Sequence, residues 1–336
     1  MEESKKTYLA GYFPAVDRRM ERLVAAFYDV DIRMAGQVLR FHLESRDREA
    51  YVRTLYTGLV IPSGQEKADA ELFFWTDCLK SYLPADAREE GVWSAEDPTG
   101  FLKIAASYSM TGGDFLRNRY YSCLEKERGG KDLPSLPNTM DLMFRFALHS
   151  GMFLLHGAAV GKGGKGVLIG GMGGAGKSTL AVSCLLRGMD FAGDDYVLIS
   201  RRGPHLAMPF FHTVKLCPDM EEALRPGFPL LLTEEPGGKK LLDASMLPFI
   251  PLLPLSCILL PTLSPEGKAR IGPVRPGLSS ARMVRSAMTQ FGFEREISLI
   301  REMSLRLEKL PAFEIFLSRD PGENALCLEA FIREKL

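Results

Sequence analysis

The stretch Gly171-Met-Gly-Gly-Ala-Gly-Lys-Ser-Thr179 decides the fold, because it carries the spacing Gly-x-x-x-x-Gly-Lys-Ser between a predicted strand at 166–169 and a predicted helix at 177–187. Glycines lack a Cβ, so this backbone can adopt positive φ angles and turn several N–H groups toward phosphate oxygens. The helix that follows adds the positive end of its dipole. The sequence therefore predicts a phosphate-binding loop that takes a nucleoside triphosphate.

The polar residues of this loop have separate expected tasks. Lys177 supplies a cation between the β- and γ-phosphates, and the Ser178 hydroxyl is expected to bind Mg²⁺. A glycine-rich turn that precedes a helix by chance is the alternative, but the flanking strand and helix favour ATP and Mg²⁺ as ligands. The predicted nucleotide-binding residues are Gly171, Met172, Gly173, Gly174, Ala175, Gly176, Lys177, Ser178 and Thr179.

Two adjacent carboxylates, Asp194 and Asp195, come before a further predicted strand at 196–199. Phosphoryl transfer needs one group that holds the metal ion and one that accepts a proton, and paired carboxylates can divide these tasks. A solvated acidic turn between strands is the alternative. His156, which follows an apolar run at 152–155, is likewise either a structural histidine or part of the site.

The rest of the chain predicts two α/β domains. Strict alternation at 39–44 and an apolar run at 70–75 predict strands in the first domain. Charges, glycines and prolines cluster at 125–137, which is typical of an exposed linker. We therefore expect an N-terminal α/β domain over 1–130 that serves acceptor or partner recognition, and a nucleotide-binding catalytic domain over 138–336.

The catalytic domain is predicted as an alternation of strands and helices. Its predicted helices cover 140–149, 177–187, the region 279–310 and 324–335, and its predicted strands cover 152–155, 158–160, 166–169, 196–199, 254–260 and 313–317.

The balance of charged residues argues against two classes of partner, nucleic acid and anionic membranes. The 336 residues contain 42 basic and 42 acidic side chains, so no long-range field favours nucleic acid or an anionic membrane. The N-terminus lacks the apolar stretch of a secretory signal, and prolines interrupt the most apolar region, at 247–261. We expect a cytoplasmic protein.

The residues around the loop resemble a known family. His156-Gly157, the strand at 166–169, the loop at 171–178, Arg187-Gly188 and Gly193-Asp194-Asp195 are similar to the kinase domain of bacterial HPr kinase/phosphorylase and its related serine kinases. The resemblance is specific over 154–199 and looser over the rest of the second domain. It implies an α/β P-loop kinase core of the HPr kinase and PEP carboxykinase-like type, with a mixed sheet.

The resemblance also implies roles for individual residues. Asp194 matches the family's catalytic carboxylate, which takes the proton from an acceptor hydroxyl, and Asp195 matches its metal-associated neighbour beside Ser178. His156 matches a histidine near that site, so the implied catalytic residues are Asp194, His156 and Lys177. The family forms ring-like oligomers, which allows a homo-oligomer here.

The expected function is an ATP-dependent, Mg²⁺-requiring serine kinase that acts on a protein, peptide or small-molecule hydroxyl acceptor. HPr-acting members carry a Glu-x-Arg-Gly-x-Gly segment after the paired aspartates, and residues 200–232 contain no counterpart. An ATP-binding regulatory or partner-binding module without phosphotransfer is the alternative. Lys215, Lys240, Arg270 and Arg275 are further cations that could reach the nucleotide.

Overall fold

The computed structural model describes residues 2–83, 92–105, 108–126, 139–216, 230–235, 239–243, 249–274, 277–291 and 297–336. The chain divides into two compact units, the first formed by Met1–Thr54 and Leu59–His149 and the second by Leu55–Gly58 and Ser150–Leu336. Each unit contains a mixed sheet with helices packed against it, so the chain is a mixed α/β protein.

The first unit is built around an eight-stranded sheet with the order β3-β1-β2-β4-β8-β7-β6-β5. Its elements are α1 Glu2–Leu23, β1 Tyr28–Met34, β2 Gln37–Leu43, α2 Arg46–Leu55, β3 Val60–Ile61, β4 Ala70–Asp77, β5 Val92–Asp97, β6 Gly100–Ala105, β7 Ser109–Asp114, β8 Arg119–Glu125 and α3 Thr139–His149. The parallel pairs β2–β4 and β4–β8 lie in the middle of the sheet.

The two strands predicted in this unit are confirmed. Leu39, Phe41 and Leu43 are fully buried while Arg40 and His42 between them are partly exposed, which is the alternation that the sequence shows. The predicted linker falls almost wholly in residues 127–138, which lie outside the described residues. Helix α3, predicted as part of the second domain, packs on β7 and β8 of the first unit.

Carboxylates inside the first unit are paired with arginine. Asp31 is fully buried and accepts hydrogen bonds from Arg40 Nε at 2.8 Å and Nη2 at 2.7 Å. Asp77 accepts from Arg19 and from the Tyr82 hydroxyl, at 2.5 and 2.7 Å. These bonds compensate the cost of removing the carboxylates from water.

The second unit contains a nine-stranded mixed sheet and a separate three-stranded antiparallel sheet. Its elements are β9 Met152–His156, β10 Ala158–Lys162, β11 Lys165–Ile169, α4 Lys177–Leu186, β12 Asp190–Gly193, β13 Tyr196–Ser200, β14 Leu206–Pro209, β15 Thr213–Leu216, β16 Leu230–Glu235, β17 Lys239–Asp243, β18 Leu253–Leu263, β19 Arg270–Pro273, α5 Leu278–Phe291, α6 Ile297–Leu307, β20 Ala312–Leu317 and α7 Pro321–Lys335.

Three neighbouring strands of the larger sheet, β11, β18 and β20, run parallel. Their carboxyl ends therefore meet at one edge, the edge at which the loop between β11 and α4 begins. Helices α4 and α7 pack together and share one apolar core with these strands. This packing fixes where α4 starts, and the loop is held between a buried strand and a buried helix.

The predicted elements of the second unit are confirmed with small shifts. The closing helix α7 begins at Pro321, earlier than predicted, because Asp320 caps it by accepting a hydrogen bond from Gly322 N. The helical region predicted at 279–310 contains two helices, α5 and α6, and residues 292–296 between them lie outside the described residues. Among the described helices, none has the length and apolar composition that crossing a membrane requires.

Candidate functional site

The loop between β11 and α4 has the backbone conformation that its glycines allow. Gly171, Gly174 and Gly176 have φ angles of 128°, 77° and 91°, a region in which a side chain would be strained. A Cβ on Gly176 would also lie 2.6 Å from Leu317 Cδ1. At the start of the loop, Gly170 N donates to Leu259 O at 3.0 Å, which ties the loop to β18.

Helix α4 begins without a side-chain cap. Gly176 is its N-cap residue and has no side chain with which to cap the helix, and its first turn contains no acidic residue. The amide groups at a helix start lack partners within the helix, and the helix dipole gives them positive character. This end of α4 is therefore suited to an anion.

Lys177 lies over the loop rather than in solvent. Its side chain is 6% exposed, and Nζ donates to Gly171 O and to Met172 O, both at 3.0 Å. The ammonium group is thus held among the backbone groups of the loop. This position is consistent with the predicted contact of Lys177 with phosphate oxygens.

The paired aspartates form the tight connection between β12 and β13. Tyr196 N donates to Asp194 O at 2.8 Å, and Asp195 adopts the left-handed conformation with φ of 67°. Asp194 is only 2% exposed. The alternative of a solvated acidic turn is therefore wrong for Asp194, while Asp195 is partly exposed.

Asp194 is a buried carboxylate without a regular partner. Neither of its oxygens has a hydrogen bond of normal geometry to a described residue. Burial raises its pKa to about 7, with a further rise from the negative charge of Asp195. The Asp195 amide, the Ser178 hydroxyl and the Lys177 charge lie close enough to oppose this rise without cancelling it. The sequence-predicted residues Asp194, Lys177 and Ser178 are thus brought together.

Asp195 points toward a second group of polar side chains. Its Oδ1 lies 3.7 Å from His156 Nε2, and its Oδ2 lies 3.4 Å from Lys215 Nζ. The antiparallel pairing of β9 with β13 sets His156 opposite Tyr196, and Gly157 N donates to Asp195 O at 3.1 Å. His156 is therefore brought to the aspartates by strand register.

Sequence reasoning missed the contribution of α5. Ser286 Oγ lies 3.0 Å from His156 Nδ1, although the two residues are 130 positions apart. No motif marks Ser286, so its place could be found only from the fold. Lys215 was singled out as a cation, but its contact with Asp195 was not foreseen.

Of the three other cations named from the sequence, Arg270 is the one whose side chain is described. The Arg270 guanidinium lies over the Phe316 ring, 3.7 Å from its centroid. Arg275 and the side chain of Lys240 lie outside the described residues.

The oxygens near the loop fit a magnesium ion carried by a nucleotide. Asp194 offers two buried oxygens that lack partners, and Ser178 offers a hydroxyl beside them. Mg²⁺ is commonly bound through one or two carboxylates together with substrate phosphates, not by a cage of protein ligands. The described residues contain no group of three or more His, Cys, Asp or Glu side chains that could hold a metal ion.

Comparisons with known proteins give a weak likeness to solved structures. No protein-family model and no curated protein matches the chain. Among solved structures, the chain is similar to the Hpr(Ser) kinase/phosphatase from Coxiella burnetii, with 13% sequence identity and a TM-score of 0.27. The alignment covers 54% of this chain and 93% of that chain.

Proposed function

We propose that the chain is an ATP-dependent, Mg²⁺-requiring kinase that transfers the γ-phosphate to a serine-type hydroxyl of a protein, peptide or small molecule. It would be related to the HPr kinase/phosphorylase group of serine kinases and share their P-loop core. We further propose a cytoplasmic location and no role for nucleic acid or membranes, in line with the balanced charge.

The single observation that carries this proposal is the buried, unpartnered carboxylate of Asp194 beside Lys177 and Ser178. A buried charge that no partner compensates is costly, so folded proteins rarely keep one without a ligand to bind. Its neighbours are the lysine and serine that the loop motif requires for a nucleotide with its metal ion. A glycine-rich turn without function would not explain this carboxylate.

The unequal exposure of Asp194 and Asp195 favours different roles for the two aspartates. A base must contact the acceptor hydroxyl, and Asp194 is 2% exposed whereas the side chain of Asp195 is 20% exposed. We therefore propose that Asp194 and Ser178 hold Mg²⁺ and that Asp195 accepts the proton of the attacking hydroxyl. This reverses the assignment that the family resemblance implies.

In this scheme the chain's own groups position and polarise the reactants. Mg²⁺, when bound with ATP, neutralises charge on the phosphates. The loop amides and Lys177 would bind the phosphate oxygens, and His156 and Lys215, which lie beside Asp195, would hold its carboxylate in place for the acceptor. The positive charge of Lys215 would also favour the negative charge that develops on the transferred phosphoryl group.

Incubation of the purified protein with γ-labelled ATP, Mg²⁺ and a cell extract tests the proposal. We expect a labelled acceptor with the unmodified protein and none with Lys177→Ala. Lys165→Ala is the matched control, since Lys165 is an exposed lysine at the far end of β11. Tight ATP binding without transfer of label would instead support the regulatory module.

A further inference from the structure

Helix α5 contacts the candidate site at two points on one of its faces. Met283 packs against Gly170, where a Cβ would lie 2.7 Å from both Met283 Cγ and Sδ. Ser286, three residues later and so on the same side of the helix, reaches His156. One helix face therefore contacts both the start of the loop and the histidine beside Asp195.

The contact between Ser286 and His156 is a partly buried hydrogen bond. Ser286 is 4% exposed, and its Oγ lies 3.0 Å from His156 Nδ1, whereas the His156 side chain is 13% exposed. On the buried side of this contact, loss of one partner leaves the other unsatisfied. The bond therefore favours one state of the imidazole over the other.

The position of the bond decides which ring nitrogen carries the proton. A neutral imidazole has one N–H donor and one acceptor nitrogen, and the partner of one nitrogen sets the state of the other. If the serine hydroxyl donates to Nδ1, the proton lies on Nε2, which faces Asp195 Oδ1 at 3.7 Å. The opposite tautomer would direct an acceptor nitrogen at a carboxylate, which is unfavourable.

We propose that Ser286 is a positioning residue that fixes His156 in the tautomer with the proton on Nε2, directed at Asp195. The catalytic consequence rests on the proposed kinase function, whereas the tautomer itself does not. Loss of the hydroxyl would release the ring, and Asp195 would lose the oriented polar group that lies 3.7 Å from its Oδ1. Chemistry would slow, while ATP binding at the loop would be unaffected.

Nitrogen NMR of protein labelled at its five histidines tests the tautomer directly. We expect the His156 ring to carry its proton on Nε2 in the unmodified protein, and a mixture of tautomers in Ser286→Ala. Ser279→Ala is the matched control, because Ser279 is also buried to 4% exposure on α5. An unchanged tautomer in Ser286→Ala, or the proton on Nδ1 in the unmodified protein, overturns the proposal whether or not the protein is a kinase.

Steady-state kinetics test the expected effect of Ser286 on catalysis. We expect Ser286→Ala to lower kcat about three- to tenfold, the effect of one net hydrogen bond, with KM for ATP unchanged. Ser286→Thr, which keeps the hydroxyl, should restore most of kcat, and Ser286→Ala should add nothing in a His156→Ala background. A further loss in that background, or a raised KM with unchanged kcat, would contradict a role through His156.

Discussion

Buried carboxylates in the two units differ in how their charge is compensated. In the first unit, burial alone would raise the pKa values of Asp31 and Asp77, but the hydrogen bonds and charges of Arg40 and Arg19, together with hydrogen bonds from neighbouring groups, hold these pKa values below the ordinary range. In the second unit, burial raises the pKa of Asp194, and its neighbours do not reverse the rise. Buried aspartates are therefore stabilised as anions in one unit and destabilised as anions in the other.

This difference separates a structural carboxylate from a binding one. An arginine partner makes a buried aspartate part of the fold, because the pair needs nothing from outside the chain. Asp194 lies next to a lysine and a serine that do not complete its hydrogen bonds. Under the proposed function its compensation comes from a ligand, and a metal ion held with nucleotide phosphates would supply it. The following predictions test this contrast, beginning with the largest expected effect.

Replacement of Asp194 should slow catalysis, and we expect this effect to be the largest of the series. We expect Asp194→Asn to lower the rate of phosphotransfer by roughly 10² to 10⁴-fold, the range for loss of one essential catalytic group. Steady-state transfer of labelled phosphate to the identified acceptor measures this. Transfer at the unmodified rate would remove Asp194 from the site.

The same replacement should stabilise the ligand-free protein at neutral and higher pH. Folded Asp194 keeps its proton up to about pH 7, whereas the unfolded group loses it near its ordinary pKa. The stability that its protonated form contributes is therefore fully present below the ordinary pKa of an aspartate and is lost between that value and about pH 7. A pKa raised to about 7 corresponds to at most roughly 4 kcal/mol.

Calorimetric unfolding in a metal chelator, at pH 5 and at pH 8, measures this effect. The difference in the free energy of unfolding between Asp194→Asn and the unmodified protein should be larger at pH 8 than at pH 5. A stability difference that is the same or smaller at pH 8 would show that the charge of Asp194 is compensated within the chain.

Replacement of Asp31 should lower the free energy of unfolding, whereas Asp194→Asn should raise it. Asp31→Asn removes the charge that compensates Arg40, and we expect a loss of about 3 kcal/mol in the free energy of unfolding. Both tryptophans, Trp75 and Trp93, lie in the first unit, so their fluorescence follows unfolding of that unit. Asp29→Asn, on the same strand but exposed, is the control and should cost less than about 1 kcal/mol. Equal losses in both variants would remove the contrast between the units.

Replacement of Lys215 should have the smallest effect of the series. Its ammonium group lies 3.4 Å from Asp195 Oδ2, and we expect Lys215→Gln to lower kcat about tenfold with little change in ATP affinity. Lys162→Gln, an exposed lysine on β10 that pairs with Glu329, is the control. A loss of ATP affinity instead of kcat would assign Lys215 to the nucleotide.

Local features of the fold could be predicted from the sequence, because they depend on contiguous residues. The strand, glycine loop and helix around Lys177 follow from composition and spacing alone. Helix α1 could not be found this way, since Gly11 and Pro14 lie within it and both disfavour a helix interior. Burial of Phe13 and Met20 in the first unit's core stabilises this helix nevertheless.

Prediction of the candidate site from the sequence is limited in the same way, because contacts between distant residues leave no local signal. Asp194 and Asp195 were found by their proximity to the loop in sequence, but their unequal exposure depends on strands that come together only in the fold. Ser286 lies 130 residues from His156, and a single serine on a helix carries no signal of such a contact. Local motifs therefore indicate which residues are candidates for the site, while tertiary packing determines which carboxylate is buried.

Equilibrium binding of ATP, measured by titration calorimetry with and without Mg²⁺, tests whether the loop and Asp194 form a nucleotide site. We expect that one ATP binds the unmodified protein, that Mg²⁺ tightens binding, that Lys177→Ala abolishes it, and that Asp194→Asn removes the dependence on Mg²⁺. Absence of ATP binding by the unmodified protein, or a Mg²⁺ dependence that survives in Asp194→Asn, would contradict this expectation.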